Sequence, residues 1–195
     1  MKLTRAARAQ LLKLIASAAP LNGTFFRSVA FRYFHPDDLI SGDGTRQHGG
    51  RFVPVGVRAV YASAEEDTAL REVTQRKTTL GGERQIDIGE YPRMIYLLAI
   101  STRRNLDLTH SLDPQLEQVV ERCLAGRSHT ASQELAALWI KEGIESVVFP
   151  SATGTGKNVV VYLENAKGSS VIVRNRDEIL KAFRRGTVRP GLAGS

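Results

Sequence analysis

The run PRMIYLLAIS at residues 92–101 constrains the fold more than any other part of the chain. It is apolar enough to be the central strand of a sheet. No stretch approaches the roughly 20 unbroken apolar residues that a spanning helix needs, so the sequence reads as a protein that does not cross a membrane. A central strand requires neighbours. IESVVF (144–149), NVVVYLE (158–164) and SSVIVR (169–174) supply three, joined by turns, while TFFRSVAF (24–31) and RAVYAS (58–63) supply two ahead of it.

Helices fill the intervals. Thr4 is placed to cap a first helix in which Leu11, Leu12 and Ile15 fall at helical spacing, with Pro20 just beyond its end. Ser63 and Glu66 form a capping-box pattern that opens a second helix running to about Lys77. Two more are predicted near Pro114–Ala125 and Ser132–Glu142, the latter stopped by Gly143, and Asp177 is placed to cap a last one. Strands first and last with helices between predict an α+β domain, a mixed β core with flanking helices. The 195 residues divide into a basic N-terminal helical extension (1–22), one core domain (23–174) and a basic C-terminal helix and tail (175–195).

Charge speaks to partners rather than fold. There are 27 Lys+Arg against 20 Asp+Glu, a net +7, and the basic residues gather at the two ends. Residues 1–36 hold Lys2, Arg5, Arg8, Lys13, Arg27 and Arg32 with no acid at all. A solvated basic face, nucleic acid or an acidic protein would each account for this. Direct DNA binding is the weaker reading, because no helix-turn-helix, RRM or KH signature accompanies the charge. Lys13 interrupts the only apolar segment of the N-terminus, leaving too little for a secretory signal, and the single cysteine, Cys123, fits a reducing cytoplasm.

Two kinds of chemistry are set aside. SATGTGKN (151–158) invites a phosphate-loop reading, but Ser151 stands where the first glycine is needed and Asn158 where Ser or Thr is needed, and a strand rather than a helix follows. The four histidines are scattered, so no metal-ligand pattern results.

The informative stretch runs from Phe26 to Glu72 and brings a strand arginine (Arg27), a glycine turn ending in arginine (Gly49-Gly50-Arg51), a strand tyrosine (Tyr61) and a helix glutamate (Glu72) into sequence. Arginine presents a planar fork suited to bidentate phosphate contact, and two arginines match a pyrophosphate. Paired glycines let backbone approach a ligand closely. Tyrosine stacks on a heteroaromatic ring while its hydroxyl stays polar, and a carboxylate stabilises a sugar cation. In AEEDTALREV the apolar positions Ala69, Leu70 and Val73 put Glu72 at the margin of the buried face. Taken singly these are ordinary features, since arginine and glutamate most often meet as a surface ion pair.

Together the segments FFRSV, LISGDGTRQHGGRF, AVYAS, TALREV, VVFPSA and NVVVYLEN resemble the RES domain, over residues 24–165. The resemblance implies a core similar to the ADP-ribosyltransferase toxins and a cleft for NAD+, bound as substrate, with no metal. It implies a cytoplasmic bacterial toxin that consumes NAD+ by phosphorolysis or by ADP-ribosylating a protein target. It also implies neutralisation by an antitoxin with an Xre-like part that occludes the site. Carried over, the family arginines are Arg27 and Arg51, the tyrosine Tyr61, the glutamate Glu72 and the serine Ser151. In that reading Arg27, Arg51 and Gly50 hold the diphosphate region, Tyr61 packs on the nicotinamide or its ribose, Glu72 stabilises the ribosyl cation, and Ser151 binds phosphate or orients Glu72. Where the family commonly has tryptophan and asparagine after the GGR arginine, this chain has Phe52 and Val53.

Overall fold

The computed structural model describes residues 3–30, 35–78, 93–110, 112–126, 128–154, 156–166 and 170–184. The order of elements is α1 (Arg5–Ala16), β1 (Ala19–Ala30), α2 (Pro36–Ser41), α3 (Asp43–His48), β2 (Ala59–Ser63), α4 (Glu66–Thr78), β3 (Arg93–Asp107), α5 (Pro114–Ala125), α6 (Thr130–Lys141), β4 (Ser146–Pro150), β5 (Lys157–Tyr162), β6 (Val171–Val173) and α7 (Arg176–Arg184). The mixed α+β architecture expected from the sequence is present. The expected central strand becomes β3, which pairs antiparallel with β1 from Ala19↔Asn105 to Ala30↔Arg93 and, on its other edge, parallel with β4 and antiparallel with β6.

The sheet runs β1-β2-β5-β4-β3-β6, and the additional β1–β3 pairing curls it back on itself. Alternation along the strands then feeds two cores. Val159 and Val161 of β5, Val148 of β4 and Val60 of β2 meet Phe25, Tyr96 and Leu98 of β1 and β3 in one cluster. The intervening Val160, Tyr162, Val147 and Phe149 face a second cluster, built on Trp139 and covered by α1, α5 and α6. Strands buried on both faces read as continuous apolar runs, which is why SVVF and NVVVY lack polar alternation.

Several local readings change. Thr4 caps α1, its Oγ accepting from Ala7 N at 3.1 Å. The buried face of α1 is Ala7, Leu11 and Ile15, all within the Trp139 cluster, whereas Leu12 is exposed. The helix expected as an N-terminal extension therefore shares the core of the domain, and residues 19–22 already belong to β1. Residues 36–48, whose Gly, Pro and Asp content is that of a loop, fold into the short helices α2 and α3, which end on Gly42 (φ 71°) and Gly49 (φ 64°). Ser63 does not cap α4; its hydroxyl is spent on Asn158. No described helix is long and apolar enough to cross a membrane.

Candidate functional site

Among the described residues β1 and β2 pair as strands at one position, Phe26↔Ser63. Where they part, a cleft of about 560 Å³ opens between Arg27 and Ser28 on one strand and Tyr61 and Ala62 on the other, with Glu72 of α4, the Gly49-Gly50-Arg51 turn and Asn158 completing its lining. The volume lies within the usual range of small-molecule sites, about 300–1,000 Å³. Five of the six expected site residues, Arg27, Gly50, Arg51, Tyr61 and Glu72, line this cleft directly. The sixth, Ser151, reaches it through Glu72.

Arg27 occupies the split. Its Nη1 donates to the Tyr61 carbonyl at 2.6 Å, while its Nε is buried without a partner. Burial pulls the guanidinium down to about 10, a shift that nearby Tyr61 partly opposes, so it remains a cation at neutral pH. No carboxylate among the described residues bonds to it. A half-buried cation with no counter-ion among the described residues is costly, and a cleft that holds one is poised to take an anion.

The glycine turn is rigid for reasons visible in its neighbours. Gly50 and Val53 exchange backbone hydrogen bonds of 2.8 and 3.1 Å. The Tyr61 hydroxyl donates to the Arg51 carbonyl, and a Cβ on Gly50 would lie 2.7 Å from that hydroxyl oxygen, so any larger residue would push Tyr61 aside. Phe52 adopts φ 60°, strained for a bulky residue. Its fully buried ring packs on Trp139 and Phe149, at centroid distances of 5.6 and 5.0 Å, and holds it there. Its carbonyl accepts from Tyr162 Oη at 2.9 Å, which accepts in turn from Trp139 Nε1 at 2.8 Å. Phe52 and Val53, the departures from the family pattern, thus lie in the core. The Arg51 guanidinium reaches across to α5, where Nη1 donates to the carbonyls of Cys123 and Gly126. Those carbonyls belong to a helix end that lacks intrahelical donors.

Glu72 is the best-held side chain of the site. Its Oε1 accepts from Asn158 Nδ2 at 2.6 Å, Ser151 Oγ at 2.7 Å and Ala152 N at 3.3 Å. The SATGTGK segment that mimics a phosphate loop is therefore the support of a carboxylate. Ser151 and Asn158 stand at the two ends of that turn, with Ser151 N bonded to Gly156 O at 3.0 Å.

Three residues of the site escape a reading from sequence. Asn158 and Ser63 head and end strands whose apolar run masks them. Arg93 lines the cleft from the start of β3, with Nε and Nη2 on the Ser28 hydroxyl and carbonyl at 2.7 and 3.1 Å. The usable signal is polarity at a strand terminus, where side chains emerge at the rim of a sheet. No group of three or more His, Cys, Asp or Glu among the described residues is arranged to hold a metal.

A family model for the RES domain matches residues 24–181. The chain belongs to the RES domain family. The match extends beyond the quoted motifs into α7, so β6 and most of the last helix are part of the RES domain here. A chain of the crystal structure of the M. tuberculosis MbcT–MbcA toxin–antitoxin complex is similar to it, with TM-score 0.67 and 21% identity over 85% of this chain and 89% of that one. At that identity the likeness is one of fold. No curated protein matches the chain.

Proposed function

We propose that this RES domain is the toxin of a toxin–antitoxin pair and that it cleaves the nicotinamide–ribose bond of NAD+, passing ADP-ribose to an acceptor. The observation that carries the reading is the pairing, in one cleft, of an arginine with no counter-ion among the described residues and a carboxylate fixed by three hydrogen bonds on one oxygen. Arg27 binds a phosphate of the dinucleotide's diphosphate. Arg93 adds a second cation to the wall, and Arg51 sets the glycine turn against α5. Tyr61 packs beneath that turn and presents its ring edge to the nicotinamide ribose.

Glu72 stabilises positive charge as it develops on the ribose, through the 2-hydroxyl or directly. The C–N bond breaks with its electron pair going to the ring nitrogen, so a cationic pyridinium leaves as neutral nicotinamide and no general acid is required. An oxygen of the acceptor then bonds to the anomeric carbon. The acceptor is inorganic phosphate or a side chain of a target protein. An antitoxin partner is supported by the resemblance to a chain of a toxin–antitoxin complex and by the exposed basic residues Arg5, Arg8 and Lys13 of α1 and Arg174, Arg176 and Lys181 near α7, which suit an acidic surface.

The test is nicotinamide release from NAD+ by the purified protein, followed by chromatography. Glu72→Gln is expected to abolish release with the fold retained, and unchanged turnover would overturn the assignment. Release that requires added phosphate identifies a phosphorylase. Release that requires a protein acceptor, with ADP-ribose found on that protein, identifies a transferase.

A further inference from the structure

We infer that Asn158, itself fixed by Ser63, is a positioning residue that sets Glu72 for the reaction. The inference rests on the NAD+-cleaving reading above and deepens it. A carboxylate only accepts hydrogen bonds, so the 2.6 Å contact between Asn158 and Glu72 Oε1 must come from the amide NH2. That orientation turns Asn158 Oδ1 to Ser63, whose hydroxyl donates to it at 2.6 Å. The bonds run in one direction, Ser63 to Asn158 to Glu72.

The place of this chain in the sheet gives it rigidity. Ser63 and Asn158 are direct partners across β2 and β5, and Asn158 is matched with Phe149 of β4 on its other side. Both polar side chains are buried, 4% and 7% exposed. Ser151 and Ala152, the other donors, stand at the start of a glycine-containing turn, so Asn158 is the donor built on the sheet itself. All three bonds fall on Oε1, and Oε2 has no partner among the described residues. One oxygen is anchored while the other is left to face the substrate. A neutral amide does this without adding a second charge beside the carboxylate.

The charged and titratable groups that share the cleft with Glu72 are Arg27 on β1, His48 and Arg51 at the glycine turn, Tyr61 on β2 and Arg93 on β3. On α4 itself Asp67 pairs with Arg71, and Glu65 lies beyond the helix start against Lys157 N. All of these are unchanged in the variants that test the inference.

The experiment is the pH dependence of nicotinamide release by the full chain and its Asn158→Ala, Asn158→Asp and Ser63→Ala variants, with Glu72→Gln as reference. Asn158→Ala is expected to lower kcat about 10- to 100-fold, as for loss of a hydrogen bond to a charged group, with KM for NAD+ within about threefold. Ser63→Ala is expected to act in the same direction by about 3- to 10-fold. Asn158→Asp keeps the shape but places two carboxylates on one proton, which moves the acid limb of the profile up by about one pH unit or more. A residue that merely ties two strands moves stability and leaves the kcat of the folded Asn158→Ala enzyme in place. A normal kcat in Asn158→Ala, or an unmoved limb in Asn158→Asp, overturns the inference. Should Asn158→Ala fail to fold, the near-isosteric Asn158→Asp still decides. If the unaltered chain releases no nicotinamide, the NAD+ reading itself fails. If it does, Glu72→Gln does not, and the Asn158 variants match the unaltered chain, the positioning role alone fails.

Discussion

Replacing Arg27 with methionine should weaken the proposed binding of dinucleotide about 10- to 100-fold while leaving the fold as stable as before or more so. Among the described residues the guanidinium makes one hydrogen bond, to the Tyr61 carbonyl, and its buried Nε has no partner. Its fall to about 10, burial outweighing the opposing Tyr61, corresponds to roughly 3 kcal/mol of net penalty on the charged form. Because the shift is downward, that burden is present in full at any pH below about 10 and is relieved only as pH rises through that value. Methionine removes it and fills similar volume. It also orphans one carbonyl, at a cost of about 1–3 kcal/mol. The net change is therefore about 0–2 kcal/mol in favour of the fold, against the average mutation, which destabilises by about 1 kcal/mol. Loss of a charge-assisted bond to phosphate weakens binding by about 1.5–3 kcal/mol, roughly 10- to 100-fold. Urea unfolding at pH 7 measures the first quantity, and calorimetric titration with ADP-ribose measures the second. A variant destabilised by more than about 2 kcal/mol that binds ADP-ribose normally would show Arg27 to be a structural plug, and the reasoning from its missing counter-ion would be wrong.

Three further outcomes test other parts of the site and its support. Leu11→Ala should cost about 2–5 kcal/mol in chemical unfolding, because α1 is packed into the Trp139 cluster; a loss under about 0.5 kcal/mol would make the helix a detachable appendage. Gly50→Ala should lower the melting temperature and turnover together, since its Cβ would meet the Tyr61 hydroxyl at 2.7 Å. Adding Tyr61→Phe should recover part of the stability, and a double-mutant cycle with no coupling argues against that contact. Ser151→Ala removes one of three donors to Glu72 and should reduce kcat about 10-fold with little change in KM; an effect on KM alone would place Ser151 on the substrate instead.

What could be read from the sequence followed from how local the determining forces are. β4 and β5 are legible because burial on both faces leaves unbroken apolar runs, β3 because its apolar run is long although its burial alternates, and α5 because Asp113 and Pro114 mark its start, Asp113 accepting from Gln115 N at 3.0 Å. The two short helices between residues 36 and 48 are not legible. Six-residue helices carry too little apolar periodicity to stand out, and theirs are ended by glycines that read as loop. Ser63 illustrates a competition. Its spacing to Glu66 satisfies a capping rule, yet the β2–β5 register places it opposite Asn158, and a buried amide is the stronger claimant for its hydroxyl.

The same division runs through the site. Arg27, Gly50, Arg51, Tyr61 and Glu72 fall within one stretch of sequence, so motif order alone brings them together on paper, and the cleft brings them together in space. What each side chain does there depends on partners far along the chain, and spacing carries no trace of those. Arg51 meets carbonyls of α5 more than 70 residues away, and Glu72 meets donors some 80 residues away. The false phosphate-loop pattern shows the physical reason most directly. A turn with glycines at positive φ, Gly154 at 84° and Gly156 at 78°, exposes backbone donors whether it precedes a helix or a strand. Before a helix those donors, with the helix terminus behind them, face a phosphate. Between β4 and β5 one of them, Ala152 N, faces α4, and the anion it meets is the carboxylate of Glu72.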